Sequence, residues 1–173
     1  GAFVAMMNMM NGTAMAPPLE FRNVDAELYG LDLDWSWRLS ETLSLAGVVN
    51  YVRGKTGNDN LYRVAPLNGF LALKYDAARW GAGLEGFFAA EQDQVAAFNG
   101  EPESDAWAIA NVNGYWQLSE NVRLSAGIDN LLDADYADHL GGINRVRGNP
   151  DIAVGERLPG YGRNVFARMD VAF

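Results

Sequence analysis

Cysteine is absent from this sequence, which removes disulfide frameworks and thiolate metal sites. Histidine occurs once, at His139, so no Ser/His/Asp arrangement can be assembled around it with a supporting pattern. Positive charge is scarce: 13 Lys and Arg stand against 22 Asp and Glu, a formal net charge of −9. Polyanion binders need a basic face, so nucleic acid is excluded as a partner. No stretch approaches the roughly 18 uncharged apolar residues of a membrane-spanning helix. The first residues, Gly1 to Met7, lack the basic segment, apolar run and cleavage site of a signal peptide. Because the first residue is not Met, the start of the gene is expected upstream. The glycines are scattered rather than gathered into a phosphate-binding loop. With no nucleophile–base pair either, an enzyme is not expected.

What is present points to β-structure. There are 19 Gly, 5 Trp, 7 Tyr and 8 Phe among 173 residues, enough for one domain. The mean hydropathy is −0.12 although about half the residues are apolar, which suits strands with one greasy and one wet face. Side chains alternate across a strand, and the period here is 2. Val165, Ala167, Met169, Val171 and Phe173 share one face against Asn164, Phe166, Arg168 and Asp170. The same reading holds for Val122–Ile128, Ile109–Leu118, Trp80–Phe88, Asn68–Tyr75 and Leu43–Tyr51. Between Phe21 and Arg38 the apolar positions change from even (Val24, Ala26, Leu28) to odd (Leu31, Leu33, Trp35, Trp37). A one-residue slip flips every side chain, so a β-bulge is expected at Gly30. A short strand from Gly1 to about Met7 brings the expected total to eight.

Connections alternate in length. Short turns fall at Ser40–Thr42, Asp76–Arg79 and Ser119–Asn121; long polar or Gly-rich loops fall near 8–20, 54–66, 93–105 and 140–161. Trp37-Arg-Leu-Ser-Glu-Thr-Leu-Ser-Leu45 is echoed by Trp116-Gln-Leu-Ser-Glu-Asn-Val-Arg-Leu124, one hairpin type used twice. Short turns on one side and long loops on the other are the pattern of an antiparallel up-and-down transmembrane β-barrel. A soluble β-sandwich also alternates apolar and polar. Three features favour the barrel: strands of about 10–14 residues against a usual mode of roughly 5–6; Trp37, Tyr75, Trp80 and Trp116 beside the short turns, like a membrane girdle; and a chain that stops on Phe173.

At these residues the sequence resembles the C-terminal barrel of TonB-dependent outer-membrane receptors. Phe21-Arg-Asn-Val-Asp-Ala-Glu-Leu-Tyr-Gly30 is similar to a family strand that opens with Asn and turns at Gly. Ala126-Gly-Ile-Asp-Asn-Leu-Leu-Asp-Ala-Asp-Tyr-Ala-Asp-His139 resembles the near-terminal asparagine-leucine-phenylalanine-aspartate segment, with Leu132 in place of Phe. Pro159-Gly160, Arg163 and the alternation to Phe173 resemble the final strand, although Val171 stands where the closing pattern has an aromatic. Within the family, Phe21–Gly30, Val49-Asn-Tyr-Val-Arg-Gly54 and the tail after His139 look most like copper-type receptors.

The resemblance implies that residues 1–173 are a C-terminal segment of a barrel of about 22 strands, with the plug domain outside the segment. It implies a bacterial outer-membrane location in a Gram-negative cell, contact with lipid, a plug and an inner-membrane energising complex. It implies import of a scarce ligand, with copper as cargo rather than cofactor. An iron–siderophore or cobalamin receptor, and a stand-alone eight-stranded structural barrel, are the alternatives.

Two features suggest metal contact. Met6, Met7, Met9, Met10 and Met15 hold five of the six methionines, and soft thioethers favour Cu(I); methionine also serves as adaptable apolar filler. His139, beside Asp135, Tyr136 and Asp138, is expected at the top of a strand on the outer side. Asp25, Glu27, Glu85 and Asp129 are expected on the inward polar face, where water tolerates charge.

Overall fold

The computed structural model describes Asn23 and residues 25–173. Strands β1 (Glu27–Arg38), β2 (Leu43–Thr56), β3 (Asp59–Asn60), β4 (Asn68–Asp76), β5 (Trp80–Ala89), β6 (Trp107–Ser119), β7 (Val122–Asp129) and β8 (Asn164–Val171) form one antiparallel sheet. Each long strand pairs with its neighbours in sequence, in the order β1-β2-β4-β5-β6-β7-β8. The two-residue β3 is an unforeseen return of the β2 loop onto β2. The strand expected at Gly1–Met7 and the 8–20 loop lie outside the described residues.

Register makes the two faces explicit. Trp37, Leu45, Leu73, Leu84, Val112, Ile128 and Val165 stand opposite one another in one lateral row across seven strands. Every member is apolar. The only charged residues in strand pairs on that face are Glu27, Arg53 and Lys55, at the long-loop ends of β1 and β2. The opposite face carries the row Arg38, Ser44, Lys74, Gly83, Asn113, Gly127 and Phe166.

No second sheet covers the apolar face among the described residues. Leu31 is 67 % exposed, Val165 70 % and Met169 64 %. The core is correspondingly small: Val64, Ala72, Ala89 and Ala96 are the buried hydrophobic side chains. A sandwich interdigitates two inner faces, and this single layer does not. A barrel wall puts the same residues against lipid. Strands of 8–14 residues bracket the roughly 9–11 needed to cross a bilayer at a tilt. Strands β1 and β8 stand at opposite edges of the sheet.

The bulge expected at Gly30 is not there. β1 and β2 pair without interruption from Glu27↔Lys55 to Arg38↔Ser44. The change of parity has another cause. Above Leu31 the apolar face turns polar, with Glu27 opposite Lys55 and Tyr29 opposite Arg53, while Leu28 turns to the other face beside Gly54 and Leu61. Glu27 is therefore not on the inward polar face. Asp25 precedes β1 and belongs to neither face; its carbonyl accepts from Thr56 Oγ1 at 3.0 Å. Gly30 instead permits close approach, since a Cβ there would lie 2.5 Å from the Tyr51 carbonyl oxygen. The irregularity of register falls between Gln117 and Ser119 in β6.

The short turns join β1–β2, β4–β5 and β6–β7; the long loops 57–67, 90–106 and 130–163 gather at the other end. Ser40 Oγ accepts from Thr42 N (3.2 Å) and Leu43 N (3.0 Å), and Ser119 Oγ from Asn121 N (3.4 Å). That shared serine cap is the physical content of the repeated hairpin. Trp80 faces Trp116 across β5–β6, and the Tyr75 and Trp80 rings are 4.7 Å apart, an aromatic group at the short-turn end as the sequence suggests.

Candidate functional site: the polar face and its loop cap

The polar face is built from small residues that let large ones lie flat. A Cβ on Gly81 would meet the Tyr115 ring at 2.4 Å, and one on Gly127 the Phe166 ring at 2.5 Å. Tyr115 donates to Asp76 Oδ1 at 2.9 Å, and the Arg123 guanidinium sits 3.7 Å from the Tyr115 ring centroid. Asn50 donates to Asn68 Oδ1 at 3.2 Å; Phe70 and Phe87 pair at 5.8 Å. Glu85 and Asp129 fall on this face as expected.

β7 ends at Asp129, so residues 130–139 form loop rather than the top of a strand. Asn130 (φ 48) and Asp133 (φ 55) enter the left-handed region, which Asn and Asp tolerate best among side-chain-bearing residues. Asn130 is 2 % exposed. Its amide donates to Ala134 O and Tyr161 O and accepts from Ala134 N, while its backbone N–H goes to Asn111 Oδ1. Asp133 Oδ1 accepts from Arg163 N at 2.7 Å, one residue before β8. The Asn-Leu-Leu-Asp segment is thus a knot that starts and ends the long loop. Leu132 is 76 % exposed. Tyr136 stacks on Trp107 at 4.7 Å, and Gly160 is required beneath it, because a Cβ there would clash with the Tyr136 ring.

His139 is buried, 3 % exposed. Its Nδ1 lies 2.9 Å from Ser104 Oγ and 3.2 Å from an Arg157 nitrogen; its Nε2 lies 3.3 Å from Glu101 Oε1. A guanidinium has no acceptor, so Nδ1 accepts and Nε2 carries the proton toward Glu101. Burial, then the Arg157 charge, lower the His139 pKa, against the opposing pull of Glu101 and Asp138. Glu101 also accepts from Arg63 N and Ala96 N, both at 2.9 Å. Arg157 donates to the His139 and Pro102 carbonyls, and Arg63 to Leu140 O at 2.7 Å. All three long loops are therefore tied through one buried polar group. Asp59 adds a second tie, accepting from Phe98 N and Ala97 N; these and Asn60 N hold its carboxyl below the usual range.

Neither ring nitrogen of His139 presents a free lone pair to a cation, and Arg157 would repel one. Among the described residues no group of three His, Cys, Asp or Glu is arranged to hold a metal. Met6, Met7, Met9, Met10 and Met15 lie outside the described residues, and Met169 sits on the apolar face opposite Leu124. Glu101, Ser104 and Arg157 escaped the sequence reading because no local pattern links positions 38 residues apart. Below the loops, a cavity of about 620 Å³ opens among Asn111, Asp129, Tyr136, Tyr161, Arg163 and Asn164.

A one-layer meander with an uncharged apolar band, a polar reverse face and long loops at one end defines a transmembrane β-barrel wall. Residues 6–131 match the family described as TonB dependent receptor-like, beta-barrel, and the chain belongs to that family, whose members are transport receptors and not enzymes. No curated protein matches it in sequence. Among solved structures it is similar to the copper transporter OprC, at 28 % identity and a TM-score of 0.77 over 87 % of this chain and 24 % of that one. It is similar in fold to the ferric yersiniabactin uptake receptor FyuA from Yersinia pestis (19 %, 0.65, 86 % of this chain and 24 % of that one). The ferric-catecholate import receptor Fiu from K12 E. coli gives 15 %, 0.65, 86 % and 21 %. The chain spans about a quarter of the OprC and FyuA structures.

Proposed function

We propose that this chain is part of the barrel wall of an energy-coupled outer-membrane receptor that imports a scarce ligand, and that the ligand is copper. The observation that carries the receptor reading is the uncharged apolar band on a sheet of the TonB-dependent family. Lipid covers that band; the polar face lines the lumen, against a plug domain supplied by the rest of the protein. The long loops face the exterior, and an inner-membrane complex energises release. Cysteines placed at Leu71, Leu124 and Val171 should react with lipid-side probes, and those at Asn111, Asp129 and Arg168 with aqueous ones. The opposite labelling pattern would overturn the membrane reading.

Copper is supported by the 28 % identity to OprC and by the five N-terminal methionines, whose thioethers suit Cu(I). Met6, Met7, Met9, Met10 and Met15 act as a collector in this reading. His139, the other residue expected to touch the metal, is engaged by Glu101, Ser104 and Arg157, so the methionines carry this reading. A Cu(I) competition titration on the full-length receptor with those five methionines changed to leucine tests this. Unchanged affinity and unchanged copper uptake would leave the methionines as packing residues.

A further inference from the structure

The three long loops are joined by two kinds of tie. Residues 57–67 and 90–106 are held together through amides and carboxylates. Gln92, 3 % exposed, donates to Val64 O at 2.8 Å, and Asn60 donates to Val95 O at 3.2 Å. Asp59 accepts from Phe98 N and Ala97 N, and Glu101 accepts from Arg63 N. Carboxylates keep their charge well below the pH at which a histidine titrates. Residues 139–158 are attached differently. They are braced within themselves: Asn144 donates to Ile152 O at 2.7 Å, Gly155 N to Asn144 O and Leu158 N to Gly142 O. They are fastened to the other two loops at His139, Leu140 and Arg157. His139 meets Glu101 and Ser104, Arg157 donates to Pro102 O at 2.7 Å, and Arg63 donates to Leu140 O. Arg157 in turn leans on His139, donating to its carbonyl and to Nδ1.

We propose that residues 139–158 are an acid-released strap: when His139 takes up a proton they part from the 90–106 loop, while the 57–67 and 90–106 loops stay joined. The Arg157 guanidinium has no carboxylate partner among the described ion pairs, and its Nε is buried without an acceptor. A second proton on the imidazole sits on Nδ1, 3.2 Å from that guanidinium. Ser104 can turn its hydroxyl to accept from it; the guanidinium cannot, and two cations then face each other away from water. Glu101 and Asp138 pull the other way, but burial and Arg157 outweigh them. Glu91, Glu103, Asp105, Asp135 and Glu156 line a cavity of about 460 Å³ beside Arg157, and none forms an ion pair with it. Water solvates the imidazolium once the strap is released, so acid favours release. Parting the strap splits that cavity and opens it to solvent. The device does not depend on which ligand is imported.

The test is pulsed EPR on the full-length receptor in lipid, with spin labels on cysteines introduced at exposed positions. E103C/V154C spans the 90–106 loop and the strap; Y62C/E103C spans the 57–67 and 90–106 loops. Measurements run from about pH 7.5 to about pH 5, the range in which a histidine titrates. The E103C/V154C distances should gain a longer population that grows as pH falls, and the Y62C/E103C distances should stay as they are. H139Q keeps a donor for Glu101 and carries no charge, so its E103C/V154C distances should be the same throughout that range. NMR of receptor with isotope-labelled histidine gives a second readout: the imidazole resonance that H139Q lacks should titrate with the midpoint of strap release. The proposal is overturned by E103C/V154C distances that do not change with pH. It is equally overturned by lengthening of both pairs together, by a pH response that persists in H139Q, or by midpoints that differ.

Discussion

His139 Nε2 lies 3.3 Å from Glu101 Oε1, with both side chains nearly inaccessible to solvent. This contact joins the 90–106 loop to the 130–163 loop, and Arg63 N on the same carboxylate oxygen brings in the 57–67 loop. Burial and the Arg157 charge hold the imidazole's pKa below its usual value.

The first prediction is a pH dependence. A His pKa lowered by folding means that the unfolded chain holds more protons at His139 than the folded one. The contribution to stability is therefore complete above the unfolded value of about 6.5 and is lost as pH falls through the folded value. Amide exchange in residues 101–104 and 139–157, corrected for intrinsic rates, should quicken as the pH drops below about 6.5. The strands β4–β7 should keep their protection. His139→Ala should abolish this pH dependence and cost about 1–3 kcal/mol, because Glu101 loses a buried donor.

A second prediction concerns Asn130. Asn130→Ala leaves Ala134 N, Ala134 O and Tyr161 O without their amide partner. The expected cost is about 1–3 kcal/mol, read as lower urea stability of the receptor in detergent and faster exchange across 130–163. Asn130→Asp keeps the acceptor for Ala134 N and should recover part of the loss.

Gly160 supplies a third. Its place is under the Tyr136 ring, where an added Cβ has no room. Gly160→Ala should cost about 1–3 kcal/mol by overpacking. The Tyr136→Ala background should remove most of that penalty, and a double-mutant cycle measures the coupling.

The two faces of the sheet give the fourth. Leu84→Arg, in the middle of the all-apolar row, should destabilise the barrel in a bilayer by about 2–4 kcal/mol. Asn113→Arg, next along β6 from Leu84's partner Val112 and on the polar face, should cost about 1 kcal/mol or less, since water solvates it. Equal penalties in reversible folding into lipid vesicles would contradict the assignment of faces.

Much of this was legible from the residues in order. Strand alternation, the three short turns and the girdle of Trp37, Tyr75, Trp80 and Trp116 are local properties, set by the two-residue period of a strand and by hairpin chemistry. The apparent parity switch near Gly30 misled because a sequence reader takes every apolar side chain to share one face. In the structure the apolar band stops at Leu31, and Leu28 finds apolar company beside Leu61 on the reverse side. Glu27 was placed on the wrong face for the same reason.

The sequence by itself determined that the chain is all-β, two-faced and built of hairpins, and its Asn-Leu-Leu-Asp and Pro-Gly segments carried the resemblance to the family. Only the tertiary structure decided what His139 touches, which side chains close the loop cap, and which residues share each face of the sheet. Hydrogen-bond partners 38 residues apart and rows that cross seven strands depend on register. Register is a property of strands laid side by side, which no single stretch of chain contains.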